Sequence, residues 1–213
     1  MSNKPVVQLM GDSVTVHVAD RIAQKLDDAA DVVASPSVRT SGNLLAHLGE
    51  WLTDGAKIVC FNCGLHDLSR DRQTHAFNHY ETIDRNQVLE RYRSNLEQII
   101  KWLQDQPSVT QVIWQTITPV IDQRHQRVKT FDRRQDDVAA FNEAALGVVA
   151  ASGLVVHDRH QVIVAAGVEQ SLRPDGVHMT ESGLEVLATA TAGFVRGRLG
   201  GIVCEYVGVW VWE

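Results

Sequence analysis

The stretch VVQLMGDSVTVH, residues 6–17, changes character at one point. Its first half, from Val6 to Met10, is the mainly apolar run expected of a buried strand. Gly11, Asp12 and Ser13 follow, at the strand end where α/β proteins bind their ligands. Asp and Ser are preferred N-caps, so the tripeptide alone favours a helix cap. A serine beside a helix N-terminus also suits a nucleophile whose product is an oxyanion.

Short β-branched runs alternate along the chain with longer amphipathic stretches. This pattern predicts a three-layer α/β/α sandwich with a five-stranded, mainly parallel sheet. The strand ends that follow such runs then share one edge of the sheet. The predicted strands are 5–10, 31–35, 57–63, 111–116 and 154–158, and the predicted helices are 17–29, 43–53, 85–106, 136–152 and 180–199. Two long segments, 64–84 and 117–135, lack a regular pattern and are expected to carry function.

The length of 213 residues predicts one domain, which we assign to residues 1–199. The tail, residues 200–213, follows a Gly-Gly pair and is apolar and β-prone. An exposed strand of this kind is an aggregation hazard. We therefore expect the tail to be covered, either as an extra strand or as a subunit contact in a homo-oligomer.

The composition excludes several classes of partner. The net charge is −6, with acidic and basic residues interspersed, so no basic stripe indicates nucleic-acid binding. The first apolar run is too short for a signal peptide, and no stretch is long enough to cross a membrane. We therefore expect a cytoplasmic protein without a membrane partner.

Three cysteines are present, Cys60, Cys63 and Cys204, and an odd count argues against a disulfide framework. Cys60 and Cys63 form a C-x-x-C pair, but a zinc or redox site needs a second pair or a thioredoxin-like context. Because Cys60 lies within a predicted strand, we interpret both as buried thiols.

The segment RPDGVHMTESG, residues 173–183, contains Asp175 and His178 three positions apart. A turn at Asp-Gly lets the carboxylate reach the Nδ1–H of the imidazole. Nε2 is then free to take a proton from a serine such as Ser13, which is a poor nucleophile without a base. Each residue alone has a plainer explanation, since Asp175 could cap a turn and His178 could pack on a helix start.

The G-x-S-x-G motif of ordinary α/β-hydrolases is absent. An N-terminal Gly-Asp-Ser with a C-terminal Asp-x-x-His instead resembles the SGNH hydrolases, also called the GDSL family, over nearly the whole chain. The resemblance implies a flavodoxin-like fold and a triad of Ser13, His178 and Asp175. It also implies an oxyanion hole that includes the N–H groups of Ser13 and of Gly42 in RTSGNLL, just ahead of a helix.

The third family block departs from its usual Gly-x-Asn-Asp, whose asparagine amide is the third oxyanion donor. The segment FNCGLHDL places His66 at the asparagine position, before Asp67. An imidazole N–H can donate in its place, and Asp67 could hold the tautomer. Asn62 is an alternative donor, and His66 could instead be a loop histidine bound to a carbonyl. One oxyanion donor is worth about a hundred- to a thousandfold in rate.

The substrate-binding candidates are Asp12, Asp67 and Arg124. Arg124 lies with His125 and Arg127 in the second irregular segment, where these side chains could meet a polar or anionic group or form a solvated loop. Asn142, in an apolar helical stretch, is expected to tie down a loop.

These residues predict a serine esterase of small acetyl or short-chain acyl esters, including esters on carbohydrate, that needs neither metal nor cofactor. Two alternatives stay open. One is a non-catalytic ligand-binding protein on the same fold, suggested by the departure at His66. The other is a metal-dependent hydrolase, whose candidate ligands would be Asp12, His66, Asp67, His157, Asp158, His160 and His178.

Overall fold

The structure, a computed structural model, describes residues 4–203, with side chains described through residue 200. Its strands are β1 (Val6–Met10), β2 (Asp31–Ala34), β3 (Ala56–Phe61), β4 (Arg70–Asp71), β5 (Gln111–Gln115), β6 (Phe131–Asp132) and β7 (Val155–His157). Five of them form one sheet in the order β2-β1-β3-β5-β7. Every pairing in that sheet is parallel, which confirms the predicted flavodoxin-like arrangement.

The helices are α1 (Ser13–Leu26), α2 (Ser41–Trp51), α3 (Arg85–Gln104), α4 (Asp122–Val128), α5 (Gln135–Ala151), α6 (Arg159–Ala166), α7 (Val168–Ser171) and α8 (Glu181–Val203). α8 packs against α1, α6 and α7, while α3 packs against α2 and α5. These two groups make the outer layers of the predicted sandwich. Within residues 4–203, no helix is both long and apolar enough to cross a bilayer.

The core lies between the sheet and these helices. Along α3, every residue that the helical spacing assigned to one face is buried: Val88, Leu89, Tyr92, Leu96, Ile99, Ile100 and Leu103. The sheet contributes Leu9, Ile58, Phe61 and Trp114, each at most 1% exposed. Full burial of an aliphatic or Phe side chain stabilises the fold by about 1.5–3 kcal/mol, so the sheet and α3 hold the site's scaffold firmly.

The two segments predicted as irregular are tied together. β4 pairs with β6 in a small antiparallel sheet. Beside it, the buried guanidinium of Arg70 donates to both carboxylate oxygens of Asp137, at 2.7 and 2.9 Å. Strands of two residues and the short helix α4 carry no periodic signal, and sequence analysis missed them, as it missed α6 and α7.

The end of the domain differs from its prediction. α8 continues through Gly200 and Gly201 to Val203, so residues 200–203 are helical and not part of a strand. The two glycines lower helix propensity but do not end this helix. The rest of the tail, with Cys204 and the expected subunit contact, lies outside the described residues.

Cys60 and Cys63 are buried free thiols, as predicted. Burial raises the pKa of the Cys60 thiol to about 12, because a thiolate would be poorly solvated there. Both side chains therefore act as small core residues.

Three histidines, two buried and one half-buried, make stability sensitive to acid. Burial first, then nearby arginines, lower the pKa values of His66, His125 and His157 to about 4, against an ordinary 6.5. Between these values the unfolded chain binds protons that the folded chain does not. The free energy of unfolding should therefore fall as pH drops from about 6.5 to 4, measured as a lower urea midpoint at pH 5 than at pH 7.5. His157→Gln should reduce this dependence and His79→Gln, at an exposed position, should not; equal slopes in all three proteins would contradict the assignment.

Candidate active site

Ser13 is the first residue of α1, four residues earlier than the predicted helix start. The helix begins there because Asp12 is its N-cap and accepts hydrogen bonds from the N–H groups of Val14 and Thr15, at 3.0 and 3.4 Å. First-turn N–H groups have no acceptor inside a helix, and the two bonds to Asp12 leave the N–H of Ser13 available. The cap interpretation thus holds for Asp12, and Ser13, half-buried, stays accessible.

The turn between β1 and α1 requires glycine. A Cβ on Gly11 would lie 2.0 Å from Oδ1 of Asn62 and 2.3 Å from Oγ1 of Thr15. Any side chain would push α1 away from β3 and displace Ser13.

A buried relay of hydrogen bonds lies beneath the turn. Arg159 donates to Thr15 Oγ1 at 2.8 Å, Thr15 donates to Asn62 Oδ1 at 2.7 Å, and Asn62 Nδ2 donates to Asp12 Oδ2 at 2.9 Å. All four residues are at most 2% exposed. The relay joins a buried cation to a buried anion through neutral groups without direct contact, and Nη2 of Arg159 is left without a hydrogen-bond partner. It also commits the Asn62 amide, so Asn62 is not the alternative oxyanion donor.

The loop before α8 positions the other two groups. Gly176 has φ +70°, and a Cβ there would lie 2.5 Å from the carbonyl oxygen of Ile121. This tight turn lets Oδ1 of Asp175 accept from the N–H groups of Val177 and His178, both at 3.0 Å. His125, on α4, donates from Nδ1 to the carbonyl of Asp175 at 3.2 Å and supports the loop from behind.

The structure brings together three side chains that sequence analysis had selected. Ser13 Oγ lies 2.9 Å from His178 Nε2, although the two residues are 165 positions apart. His178 Nδ1 lies 2.5 Å from Oδ2 of Asp175. Partial burial raises the pKa of Asp175, but hydrogen bonds from His178 and from two backbone N–H groups outweigh this and bring it below its ordinary value. The ionised carboxylate keeps a proton on Nδ1 and leaves Nε2 as an acceptor for the serine proton.

His66 is neutral, with its tautomer set by an arginine. Nη2 of Arg133 donates to Nδ1 of His66 at 3.4 Å, and its Nε donates to the carbonyl of Leu65 at 2.9 Å. An arginine has no acceptor, so Nδ1 is unprotonated and Nε2 carries the hydrogen. Burial and this guanidinium together lower the pKa of His66 to about 4. The imidazole is therefore a neutral Nε2–H donor at physiological pH.

Gly42 was predicted to lie in a loop just ahead of α2. It is instead the second residue of that helix. α2 starts at Ser41 because Thr40 caps it, its side chain accepting from Asn43 N at 3.1 Å. Gly42 is exposed, and its N–H belongs to the first turn, whose donors have no intrahelical acceptor. It remains a candidate donor with a different structural origin.

Two predicted substrate-binding carboxylates are buried. Asp12 is 2% exposed and holds α1 and Asn62. Asp67 is 0% exposed and accepts from Ser41 Oγ at 2.6 Å and Tyr80 Oη at 2.5 Å. Because both side chains are buried, neither can contact a substrate. Each instead stabilises the position of a loop through its hydrogen bonds.

Arg124 also differs from its prediction. Its guanidinium donates to the carboxylate of Glu169 and to the carbonyl oxygens of Glu169 and Leu172. These bonds clamp α4 to α7 and the start of the Asp175 loop, so Arg124 supports the site from outside. Asn142 ties down a loop as expected, with hydrogen bonds to both the N–H and the C=O of Ile117.

The candidate metal ligands do not converge. Within the part of the chain that the structure describes, no three His, Cys, Asp or Glu side chains form a group that could hold an ion. His157, for instance, bonds Thr191 Oγ1 at 3.0 Å within the core.

Sequence analysis missed three residues around the site: Arg133, Arg159 and His17. His17 lies one helical turn after Ser13, and its ring centroid is 5.3 Å from that of His178. The i, i+4 spacing from the serine could have indicated His17. Nothing local marks the two arginines, because their burial depends on elements distant in sequence.

Several solved structures share this fold at low sequence identity. A lipase/acylhydrolase from Enterococcus faecalis is 21% identical with a TM-score of 0.73, covering 91% of this chain and 96% of that one. The acetyl xylan esterase AlAXEase is 16% identical with a TM-score of 0.69, covering 89% and 99%. Axe2, an acetylxylan esterase from Geobacillus stearothermophilus, is 16% identical with a TM-score of 0.64, covering 92% and 95%. A comparison with curated proteins found no match.

A match to a family model identifies the family more specifically than these structural similarities do. The model of the GDSL-like lipase/acylhydrolase family matches residues 9–186, a span that contains Ser13, His66, Asp175 and His178. The match covers most of the chain and agrees with the sheet order. The chain therefore belongs to the GDSL-like lipase/acylhydrolase family, and is a hydrolase of that family.

Proposed function

We propose that the protein is a serine esterase that hydrolyses small carboxylic esters through an acyl-enzyme. The observation that carries this proposal is the continuous chain of contacts from Ser13 Oγ to His178 Nε2, 2.9 Å, and from His178 Nδ1 to Asp175, 2.5 Å. Hydroxyl, imidazole and carboxylate in this order are what nucleophilic acyl transfer requires.

In this mechanism Ser13 Oγ attacks the ester carbonyl carbon while Nε2 of His178 takes the hydroxyl proton. The tetrahedral intermediate collapses, the C–O bond to the alcohol breaks, and His178 returns the proton to the departing alkoxide. Water then attacks the acyl-enzyme with His178 again as base, and the acid and free Ser13 are released. Asp175 keeps the imidazole oriented and stabilises its charged form in both halves.

The developing oxyanion would be held by three N–H groups. Two are backbone donors in the first turns of α1 and α2, from Ser13 and Gly42, where the helix dipoles also favour negative charge. The third is Nε2–H of His66, whose tautomer Arg133 sets. A neutral imidazole donor replaces the family's usual asparagine amide with the same count of hydrogen bonds.

Acetyl and short-chain acyl esters, including acetyl groups on carbohydrate, are the substrates that we propose. Two structures with the same fold are named acetyl xylan esterases, which supports this choice. No cofactor has a role in the proposed steps.

Ser13→Ala should reduce kcat/KM for 4-nitrophenyl acetate at least about ten thousandfold, because no other group supplies the nucleophile. Asp175→Asn should reduce kcat/KM by about as much, because an amide favours the wrong imidazole tautomer of His178. Ser37→Ala, at an exposed serine of the loop between β2 and α2, is the matched control and should retain full activity. A fluorophosphonate should label the wild type and not Ser13→Ala. Equal rates for wild type and Ser13→Ala, or no labelling, would contradict the mechanism and favour a ligand-binding protein.

His66→Ala should lower kcat about a hundred- to a thousandfold with little change in KM, since the donor acts on the transition state. His66→Asn should recover most of that loss by supplying an amide N–H. If His66→Ala keeps wild-type kcat, the oxyanion does not depend on His66.

The protonation of His66 can be measured directly by following its ring ¹⁵N shifts in NMR spectra between pH 5.5 and 8. We expect a neutral ring with the proton on Nε2 throughout, because the pKa is about 4. Arg133→Met should raise the pKa of His66, since it removes a nearby positive charge. Arg93→Met, on the exposed face of α3, is the control. A wild-type His66 that titrates near 6.5, or that is protonated on Nδ1, would be incompatible with the assigned tautomer.

A further inference from the structure

Three arginines lie near the proposed catalytic groups: Arg173 on the loop of Asp175 and His178, Arg39 on the loop that leads into α2, and Arg133 between β6 and α5. Arg173 donates its backbone N–H to the carbonyl of His178 at 2.7 Å. Arg39 follows Val38, whose N–H bonds the carbonyl of Gly11 at 2.8 Å. Arg133 bonds the ring of His66. Backbone contacts thus anchor Arg39 and Arg173 beside the site, and a side-chain contact anchors Arg133.

Arg133 is a buried charge without an anionic partner in contact. It is 5% exposed, its hydrogen bonds go to a carbonyl and a neutral imidazole, and it lies 5.2 Å from the centroid of the Phe131 ring. The other two buried arginines each have an anionic counterpart: Arg70, at 8% exposure, is bidentate to Asp137, and Arg159, at 1%, reaches Asp12 through Thr15 and Asn62. A buried charge that is not paired is costly, so such a charge at a site indicates a ligand that completes it.

The geometry leaves one nitrogen of Arg133 for that ligand. Nε and Nη2 are engaged, whereas Nη1 has no hydrogen-bond partner among the residues described and is not sealed from solvent. Burial lowers the pKa of Arg133 to about 10, and the negative charges of Asp12 and Asp175 oppose that shift. Neither carboxylate is free to pair with it, because Asp12 binds Asn62 and Asp175 binds His178.

Arg39 and Arg173 complete the arrangement at the surface. Both side chains are exposed, and in residues 4–200 neither guanidinium forms an ion pair with a carboxylate. Burial lowers the pKa of His17, whose ring neighbours His178, and the charge of Arg173 adds to this; burial and Arg133 lower the pKa of His66, with a further contribution from Arg39. Both arginines thus add positive charge near the site, where it attracts an anion and increases its local concentration.

Resting on the proposed esterase function, we infer that the natural substrate is an ester bearing a negatively charged substituent, of which a carboxylate is the simplest, beside the scissile bond. Guanidinium groups bind carboxylates by charge-assisted hydrogen bonds with a fixed geometry. Arg133 contacts His66, Arg39 lies on the loop that leads to Gly42, and Arg173 lies on the loop of the base, His178. The charge can therefore belong to the acyl group or to the alcohol.

Two matched ester pairs test the inference and distinguish these positions. The first pair, 4-acetoxybenzoate and its methyl ester, places the charge on the leaving group. The second, mono-4-nitrophenyl adipate and 4-nitrophenyl hexanoate, places it on the acyl group. Each kcat/KM is divided by the hydroxide-catalysed rate constant of the same ester. In at least one pair the anionic ester should be favoured about tenfold at 20 mM salt, and the preference should shrink at 0.5 M NaCl because of screening.

Variants assign the preference to residues. Arg133→Gln, Arg173→Gln and Arg39→Gln should each lower the ratio of anionic to neutral kcat/KM, and the pair that responds identifies the charged side. Arg93→Gln makes the same change in net charge far from these loops and should leave rates and ratio unchanged. Ser13-dependent hydrolysis with no preference for charge in either pair would overturn the inference and leave the esterase function intact. Absence of Ser13-dependent hydrolysis of all four esters would overturn the esterase function, and the inference with it.

Discussion

The hydrogen bonds of the buried Asp12 carboxylate hold the site together. Asp12 ends the loop after β1, caps α1, and receives the Asn62 amide that follows β3, so one side chain fixes two strand ends and a helix start. Loss of an N-cap costs about 1 kcal/mol, and an unsatisfied buried group costs more. Arg159 completes the relay from beyond β7, through Thr15. Asp12 makes these hydrogen bonds, and Ser13, the next residue, remains half-buried at the edge of the sheet.

The loop that carries Asp175 and His178 is held by its own set of contacts and packs against the part of the site that contains Asp12 and Ser13. This loop is closed by the Gly176 turn, supported by His125 and clamped through Arg124 to α7. Few of these contacts involve the relay. The distance of 2.9 Å between Ser13 and His178 therefore depends on how α1 packs on α8, whose charged faces meet through Arg21 and Glu181 at 2.5 Å. A contact built in this way is sensitive to packing far from the two side chains that make it.

His66 stands at the position where the family usually has asparagine. A histidine there needs a neighbour that sets its tautomer and its charge. An amide is always a donor, whereas an imidazole donates toward the site only in the correct tautomer and charge state. Arg133 meets this need, since its hydrogen bond fixes Nδ1 as acceptor and its charge disfavours a second proton. The same guanidinium keeps one nitrogen without a hydrogen-bond partner among the described residues, so in the mechanism that we propose one residue would link oxyanion stabilisation to the charge of the substrate. Histidine and arginine act here as a pair.

By itself, the sequence determined the five parallel strands, the buried face of α3, the buried thiols of Cys60 and Cys63, and the choice of Ser13, Asp175 and His178. Hydrophobic periodicity and local turn chemistry carry those features, and both act over a few residues. Tertiary structure alone decided that Asp12 and Asp67 are buried, that Gly42 is helical, that Arg124 is a clamp, and that Arg133 and Arg159 surround the site. Exposure, hydrogen-bond partners and protonation state depend on groups dozens of residues away, brought together by the sheet and its helices. No local pattern encodes them, because their energy comes from burial and pairing in the folded chain.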